Sequence, residues 1–111
     1  MKKFHLAISS NDIAASVNDY TKRLESKPCL VIKGEYALWR TPTLNLSVRF
    51  IEHGEPFEVR HLGWEEASAS SFSETKDING ISWEHFSAEQ QAKEINELWP
   101  NAQYKVELGH D

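Results

Sequence analysis

The sequence predicts an α+β fold that begins with the element order β-α-β-β-β and continues with a shorter set of strands and a C-terminal helix. Three observations predict it. Several segments alternate apolar and polar residues, as half-buried strands do. Two other segments repeat apolar residues at helical spacing, and each begins at a helix-capping signal. A polar linker with Gly and Pro, residues 52–56, separates the two parts of the chain.

The first part of the chain is predicted to form five elements in succession. Residues 3–9 alternate as a strand whose polar face carries His5. A helix follows from Asp12, with apolar residues at helical spacing, and it ends before Pro28. Three further strands are predicted after it, at residues 29–33, 36–40 and 44–51.

The second part of the chain is shorter and less regular. A strand is predicted over residues 57–66, and residues 67–73 are small and polar, so they fit either a loop or a weak strand. The pair Asn79-Gly80 marks a tight hairpin turn, and residues 81–86 form the strand that follows it. Too little chain lies between these two strands for a helix and two more strands.

The C-terminal helix is predicted from its cap and its end. Ser87 and Gln90 have the spacing of a capping box, and Pro100 stops the helix. The tail from residue 101 is predicted to be a short strand or frayed. One face of the helix is apolar and carries Ala88, Ala92, Ile95 and Trp99.

The composition limits which cellular compartment and which classes of partner we expect for this protein. The 111 residues are 40% hydrophobic and 26% charged, which is ordinary for a globular domain. A net charge of -5 gives no basic footprint, so we expect neither nucleic acid nor a membrane as partner. The opening residues lack the features of a signal peptide. The one cysteine, Cys29, excludes an internal disulfide and is predicted to be a small buried hydrophobe in a cytoplasmic protein.

Four motifs, which together span about half of the chain, occur in a recognisable order. The first is a strand with His5 followed by Asp-Ile-x-x-Ser-x-x-x-Tyr from Asp12, and the second is the strand pair at residues 35–47. The third is Arg-His-Leu-Gly-Trp around His61, and the fourth is Asp-x-x-Gly-x-x-x-Glu, which ends at Glu84. The series resembles the vicinal-oxygen-chelate superfamily of glyoxalases, bleomycin-resistance proteins and extradiol dioxygenases, nearest to its cadmium-induced and organoarsenical-lyase-like branch.

The resemblance implies a fold and a metal site. It implies one domain over residues 1–111, with βαβββ modules that form curved sheets around a cavity: a first module at 1–52 and an abridged second module at 57–111. It also implies that His5, His61 and Glu84 bind a divalent metal. Asn45 stands where many relatives have a fourth ligand, a Glu, so we expect Asn45→Glu to add an anchor. The organoarsenical lyases of this branch grip arsenic with paired cysteines, and a single cysteine makes that activity unexpected here.

Strand alternation gathers the same residues without the resemblance. His5, His61 and Glu84 each lie opposite the apolar face of their strands. The apolar faces, with Trp39, Trp64 and Trp83, are predicted to turn toward the helices, so that the polar faces form a cavity. Two imidazoles and one carboxylate suit Fe, Zn, Mn, Co or Ni. The surface is expected to hold the other histidines, His53, His85 and His110.

Three further polar residues share the predicted cavity face. Asn45 and Ser47 are predicted to line the cavity or support a ligand rather than to bind the metal themselves. Two interpretations of Arg49 stay open: it clamps a carboxylate or phosphate of the substrate, or it is a solvated surface residue.

The function expected from this site is that of a lyase or dioxygenase-type enzyme acting on a small molecule with adjacent oxygens. Two alternatives remain. One is a metal-free protein that sequesters a small molecule, of the bleomycin-resistance kind, and the other is a dimeric scaffold with a relict site. The abridged second module would leave sheet edges open, and open edges are usually covered or paired. We therefore expect a homodimer.

Overall fold

A mixed β-sheet of seven strands and two α-helices make up the described part of the chain, residues 2–106 of a computed structural model. The α+β class predicted from the sequence is confirmed, with one sheet rather than several. Neither α-helix in these residues is long and apolar enough to cross a membrane. The elements in chain order are β1 (Lys2–Ser10), α1 (Ile13–Leu24), β2 (Leu30–Ile32), β3 (Tyr36–Arg40), β4 (Leu44–Phe50), β5 (Val59–Glu66), β6 (Ser73–Lys76), β7 (Ser82–Phe86), α2 (Ala88–Leu98) and a short 3-10 helix (Pro100–Ala102).

The sheet has the order β2-β3-β4-β1-β5-β7-β6, and its two halves repeat one arrangement around the central antiparallel pair of β1 and β5. In the first half, β4 runs parallel to β1 and β3 runs antiparallel to β4. In the second half, β7 runs parallel to β5 and β6 runs antiparallel to β7. The predicted order β-α-β-β-β of the first half is confirmed. The second half has no counterpart of α1 or β2, because only residues 67–72 separate β5 from β6.

Helix α1 packs on one face of the first half. The helix begins where the sequence predicted, and its N-cap is Asp12, whose side chain accepts a hydrogen bond from the amide of Ala15. The helix ends where Glu25 takes a left-handed backbone conformation, a few residues before Pro28. Burial of its apolar face stabilises it, in a core that contains Ile8, Ile13, Ala37, Trp39, Leu46 and Val48.

Helix α2 packs on the opposite face of the sheet, which corrects the prediction that every strand turns its apolar face toward the helices. Ala92 and Ile95 of α2 pack with Tyr36 and Leu38, which alternate along β3 with the residues under α1. The predicted capping box of Ser87 is confirmed, and the helix ends at Trp99, before Pro100. The sheet face that carries the predicted site is therefore covered by α2.

The turn before β7 is organised by one carboxylate. The side chain of Asp77 accepts hydrogen bonds from the amides of Asn79 and Ile81, and its second oxygen accepts one from the indole nitrogen of Trp83. Gly80 takes a positive φ of 82°, so the predicted turn is present and needs glycine there. These contacts fix the start of β7 and the side on which Glu84 emerges.

Three predictions about single residues are corrected or unmet. Trp64 is 36% exposed, because no helix within residues 2–106 covers the α1 side of the second half. Cys29 is exposed rather than buried, and its Sγ lies 3.6 Å from the Tyr104 hydroxyl. His85 is half-buried and lies 2.8 Å from Glu66 rather than fully on the surface. The prediction for His110 falls outside the described residues.

Candidate metal centre

Three side chains meet on the sheet face that α2 covers. His5 on β1 and Glu84 on β7 both pair with Gly63 on β5, so they lie in one row across three neighbouring strands. His61 lies two residues before Gly63 on the same face. Its Nε2 atom is 3.0 Å from Nε2 of His5 and 2.9 Å from Oε1 of Glu84, and the His5–Glu84 separation is 4.0 Å. The structure thus brings the three predicted ligands together.

Gly63 makes this convergence possible, and sequence reasoning gave it no role. A Cβ atom at this position would fall on the backbone oxygen of Glu84 and within 2.8 Å of that residue's carbonyl carbon and amide nitrogen. Any side chain here would therefore push β7 away from β5. One feature of the sequence could have identified Gly63: it follows the apolar Leu62 and so lies on the same strand face as His61.

The orientation of the His5 ring is fixed from behind by Asn45. His5 Nδ1 lies 2.9 Å from Oδ1 of Asn45 and 3.2 Å from its backbone oxygen. Both partners are acceptors, because the Asn45 amide nitrogen donates to Glu65 and Gln91 at 2.8 Å each. His5 must then carry its proton on Nδ1, which leaves the lone pair of Nε2 directed at His61 and Glu84.

Asn45 does not occupy a fourth ligand position. It is fully buried behind the His5 ring, on the side away from the carboxylate of Glu84. Its amide is anchored by Glu65, which receives two hydrogen bonds of 2.8 Å from Arg40. This position does not support the expectation that Asn45→Glu would add an anchor to the metal, because a carboxylate there would lie beside Glu65.

The lone pairs and the negative charge of the cluster favour the binding of a cation. Burial and the nearby His61 lower the pKa of His5, so the imidazole is neutral near pH 7 and has a lone pair to donate. That lone pair, the second imidazole and the Glu84 carboxylate converge on one point. Two ligand atoms that lie about 2.1 Å from a metal at right angles are about 3 Å apart, which matches the two short separations. The donor set fits a divalent metal such as Fe or Zn.

A cavity of about 240 Å³ opens beside this cluster. Its walls come from the sheet, from α2 and from the segment before β6. Ser47 and Arg49 lie on its wall, as their place on β4 predicted, and Gln91 and Glu94 close it from α2. The full lining is His5, Tyr36, Ser47, Arg49, Arg60, His61, Phe72, Glu74, Glu84, Phe86, Gln91, Glu94, Ile95, Leu98 and Trp99.

Arg60 is a cavity residue that strand alternation missed. Ala7 pairs with His61 but Ile8 pairs with Val59, so Arg60 is the extra residue of a β-bulge. A bulge breaks the alternation of faces and redirects a side chain, which places Arg60 on the same cavity as its neighbour His61. Burial and the positive charge of Arg49, which lines the same cavity, both lower the pKa of Arg60.

Glu94 stands at the mouth of the cavity on α2. Although much of the side chain is open to solvent, the surrounding protein partly desolvates its carboxyl and, together with the negative charge of Glu84, raises its pKa. The positive charges of His61 and Arg60 oppose this shift. A carboxyl whose pKa is raised toward neutrality is suited to exchange protons with a bound molecule.

Comparison with known proteins bears on the fold alone. No protein-family model matches the sequence, and no curated protein matches it. A crystal structure of a hypothetical protein from Staphylococcus aureus has a similar fold, with a TM-score of 0.51 and 12% identity over 76% of this chain. The chain spans 32% of the length of that protein.

Proposed function

We propose that this protein is a divalent-metal-dependent enzyme of the lyase or dioxygenase type, which acts on a small molecule with adjacent oxygens. The observation that carries the proposal is the convergence of His5, His61 and Glu84 within 4.0 Å of one another at the wall of a polar cavity. The fixed Nδ1 proton of His5 supports it further, because hydrogen bonding at the far nitrogen is how protein histidines are oriented toward metals.

The glyoxalase-like arrangement and membership of the vicinal-oxygen-chelate superfamily are part of this proposal. Two features support them. The halves of the sheet repeat one strand arrangement around β1 and β5, and the candidate ligands come from both halves, with His5 in the first and His61 and Glu84 in the second.

Several residues in and behind the cavity would have a role in this chemistry. His5, His61 and Glu84 would hold the metal, which when bound supplies a Lewis acid for the substrate oxygens. Asn45 holds the His5 ring in its binding orientation. Glu94 is placed to accept a proton from the substrate and to return it. The stacked rings of Phe72 and Phe86 supply an apolar part of the cavity wall.

The sequestration alternative is less well supported by the size of the cavity. Pockets that enclose drug-sized ligands have volumes of roughly 300–1,000 Å³, and this one has about 240 Å³. A small metabolite fits such a space better than a large antibiotic does. A scaffold with a relict site does not require the buried hydrogen-bond chain from Arg40 to His5.

Metal analysis of protein purified without a histidine tag tests the proposal. We expect close to one divalent ion per chain, retained after gel filtration in metal-free buffer. The Fe(II) form should also bind nitric oxide, a surrogate for dioxygen, because three protein ligands leave coordination positions open. Protein that holds no metal after supply of Fe, Zn, Mn, Co and Ni would refute the proposal and favour metal-free binding.

A further inference from the structure

We propose that Arg49 and Arg60 form a subsite for an oxyanion of the substrate, a carboxylate or a phosphate, in the same cavity as the candidate metal centre. The substrate would then be an anionic small molecule held at two points. Its charged group would contact the arginines, and its adjacent oxygens would face His5, His61 and Glu84. The subsite itself stands without the metal, whereas the two-point binding rests on the proposed function.

The two arginines reach the cavity by separate structural devices. The β-bulge of β5 turns Arg60 toward the cavity, where it is half-buried. Arg49 comes from β4, and its guanidinium lies over the Trp99 ring, 5.4 Å from the centroid. Trp99 is in turn packed on Tyr36, with ring centroids 4.9 Å apart. A cation held against an aromatic face is positioned rather than freely solvated.

Neither arginine has an ion pair within residues 2–106. The other two arginines differ in this respect, because Arg40 lies 2.8 Å from Glu65 and Arg23 lies 3.0 Å from Asp19. Two half-buried guanidinium groups that line one cavity repel each other, and partial loss of water increases that cost. An oxyanion between them would offset both the repulsion and the lost hydration. It would do so through charge-assisted hydrogen bonds, which a guanidinium group can form with two oxygens at once.

The carboxylates of the cavity do not fill this role. Glu84 is directed at His61, 2.9 Å away, and belongs to the candidate metal centre. Glu94 and Glu74 line the cavity but make no ion pair within 4.0 Å in the described residues. A divalent metal would further reduce the negative charge of the cavity, so metal binding and anion binding should favour each other.

A matched pair of probes tests two-point binding. The compounds 3,4-dihydroxybenzoate and 3,4-dihydroxybenzamide offer the same adjacent oxygens and differ in the charge of the group opposite them. With Co(II)-loaded protein, the visible absorption of the metal reports each titration. We expect the benzoate to bind about 10- to 100-fold more tightly than the benzamide, the factor for a charged hydrogen-bonded pair. Arg60→Gln and Arg49→Gln should remove most of this preference and leave the affinity for the benzamide unchanged.

The control variant is Arg23→Gln, which removes an exposed arginine of α1 and should preserve the full preference. Equal affinity of wild-type protein for both probes, with the metal still bound, would overturn the subsite and leave the metal centre standing.

A second measurement uses metal-free protein, so that a failure of the metal centre is separated from a failure of the subsite. Calorimetry with inorganic phosphate and with benzoate should show binding that Arg60→Gln weakens and Arg23→Gln does not. The tighter of the two anions identifies the charged group of the substrate. Anion binding that is absent, or equal in both variants, would overturn the inference whatever the metal result.

Discussion

Nδ1 of His5 donates a hydrogen bond to Oδ1 of Asn45 over 2.9 Å, and this contact decides which ring nitrogen faces the cavity. Asn45 can act only as an acceptor toward His5, because its amide nitrogen donates to Glu65 and Gln91. The buried chain of hydrogen bonds from Arg40 through Glu65 and Asn45 therefore prepares His5 as a ligand before any metal arrives.

Asn45→Ala should weaken metal binding without abolishing it. The variant keeps all three ligands and loses the group that orients one of them, a change that typically costs 10–100-fold in metal affinity. Competition with a chromophoric chelator measures the effect. Asn96→Ala is the control, because Asn96 also makes two hydrogen bonds, to the backbone of Tyr104, away from the cavity. Equal losses in the two variants would mean that Asn45 acts only through stability.

Gly63→Ala should impair both folding and metal binding. Its Cβ would collide with the Glu84 backbone, so β7 must move and carry a ligand with it. We expect at least a tenfold loss of metal affinity, comparable to other changes around a ligand. Gly34→Ala is the control: it is strained by its φ of +75° but meets no atom within 4 Å. It should lose about 1–2 kcal/mol of stability and keep the wild-type metal affinity per folded protein. A Gly63→Ala protein with unchanged affinity would contradict this role.

The predicted ligands were accessible from the sequence because they obey strand alternation. His5 and Glu84 lie in regular stretches of β1 and β7, where successive side chains point to opposite faces of the sheet. Arg60 was missed for the same reason: it sits in a bulge, where pairing with β1 shifts by one residue, and nothing local in the sequence announces that shift.

The side of the sheet on which α2 packs also could not be predicted from the sequence. Its apolar face predicted burial, but not on which side of the sheet. Gln91 lies on the buried face of α2 and forms hydrogen bonds with Asn45, so the helix covers the polar face of the sheet. The apolar pattern of the helix alone does not predict this. Strand β6 has only exposed residues and so has no apolar alternation to reveal it.

Stability in acid should depend on Glu65. Burial by itself would raise its pKa, but hydrogen bonds from Arg40 and Asn45 and the charges of Arg40 and Lys3 outweigh this and lower it. The unfolded chain, in which the pKa of a glutamate is about 4.3, therefore binds this proton more tightly than the folded protein. The stabilisation is complete above that pH and is lost as pH falls through the lower folded pKa.

Urea unfolding of Glu65→Gln between pH 7 and pH 3 measures this term. We expect a loss of about 3 kcal/mol at pH 7, because Arg40 is left buried without its countercharge. The difference from wild type should shrink as pH falls below about 4, because the unfolded wild-type chain then binds a proton that the folded protein does not yet bind. Glu89→Gln, an exposed residue in the first turn of α2, is the control. A difference that stays constant with pH would contradict the lowered pKa.

We expect the protein to form a homodimer. The two edge strands, β2 and β6, are open along the sheet in residues 2–106, and all four residues of β6 are exposed. Open strand edges are usually covered or paired. Light scattering across micromolar concentrations should give twice the 12.7 kDa of one chain. A mass of one chain throughout that range would count against the prediction.

The most direct test of the metal centre compares two neighbouring residues of β7. Glu84 faces His61 in the cavity, whereas His85 lies on the opposite face of the sheet and contacts Glu66. Isothermal titration with Zn(II) should show one site per chain in the wild-type protein and in His85→Ala. Glu84→Ala should lose more than the roughly 100-fold expected for residues that only support a ligand. Equal Zn(II) affinity in the wild type and Glu84→Ala would contradict the account.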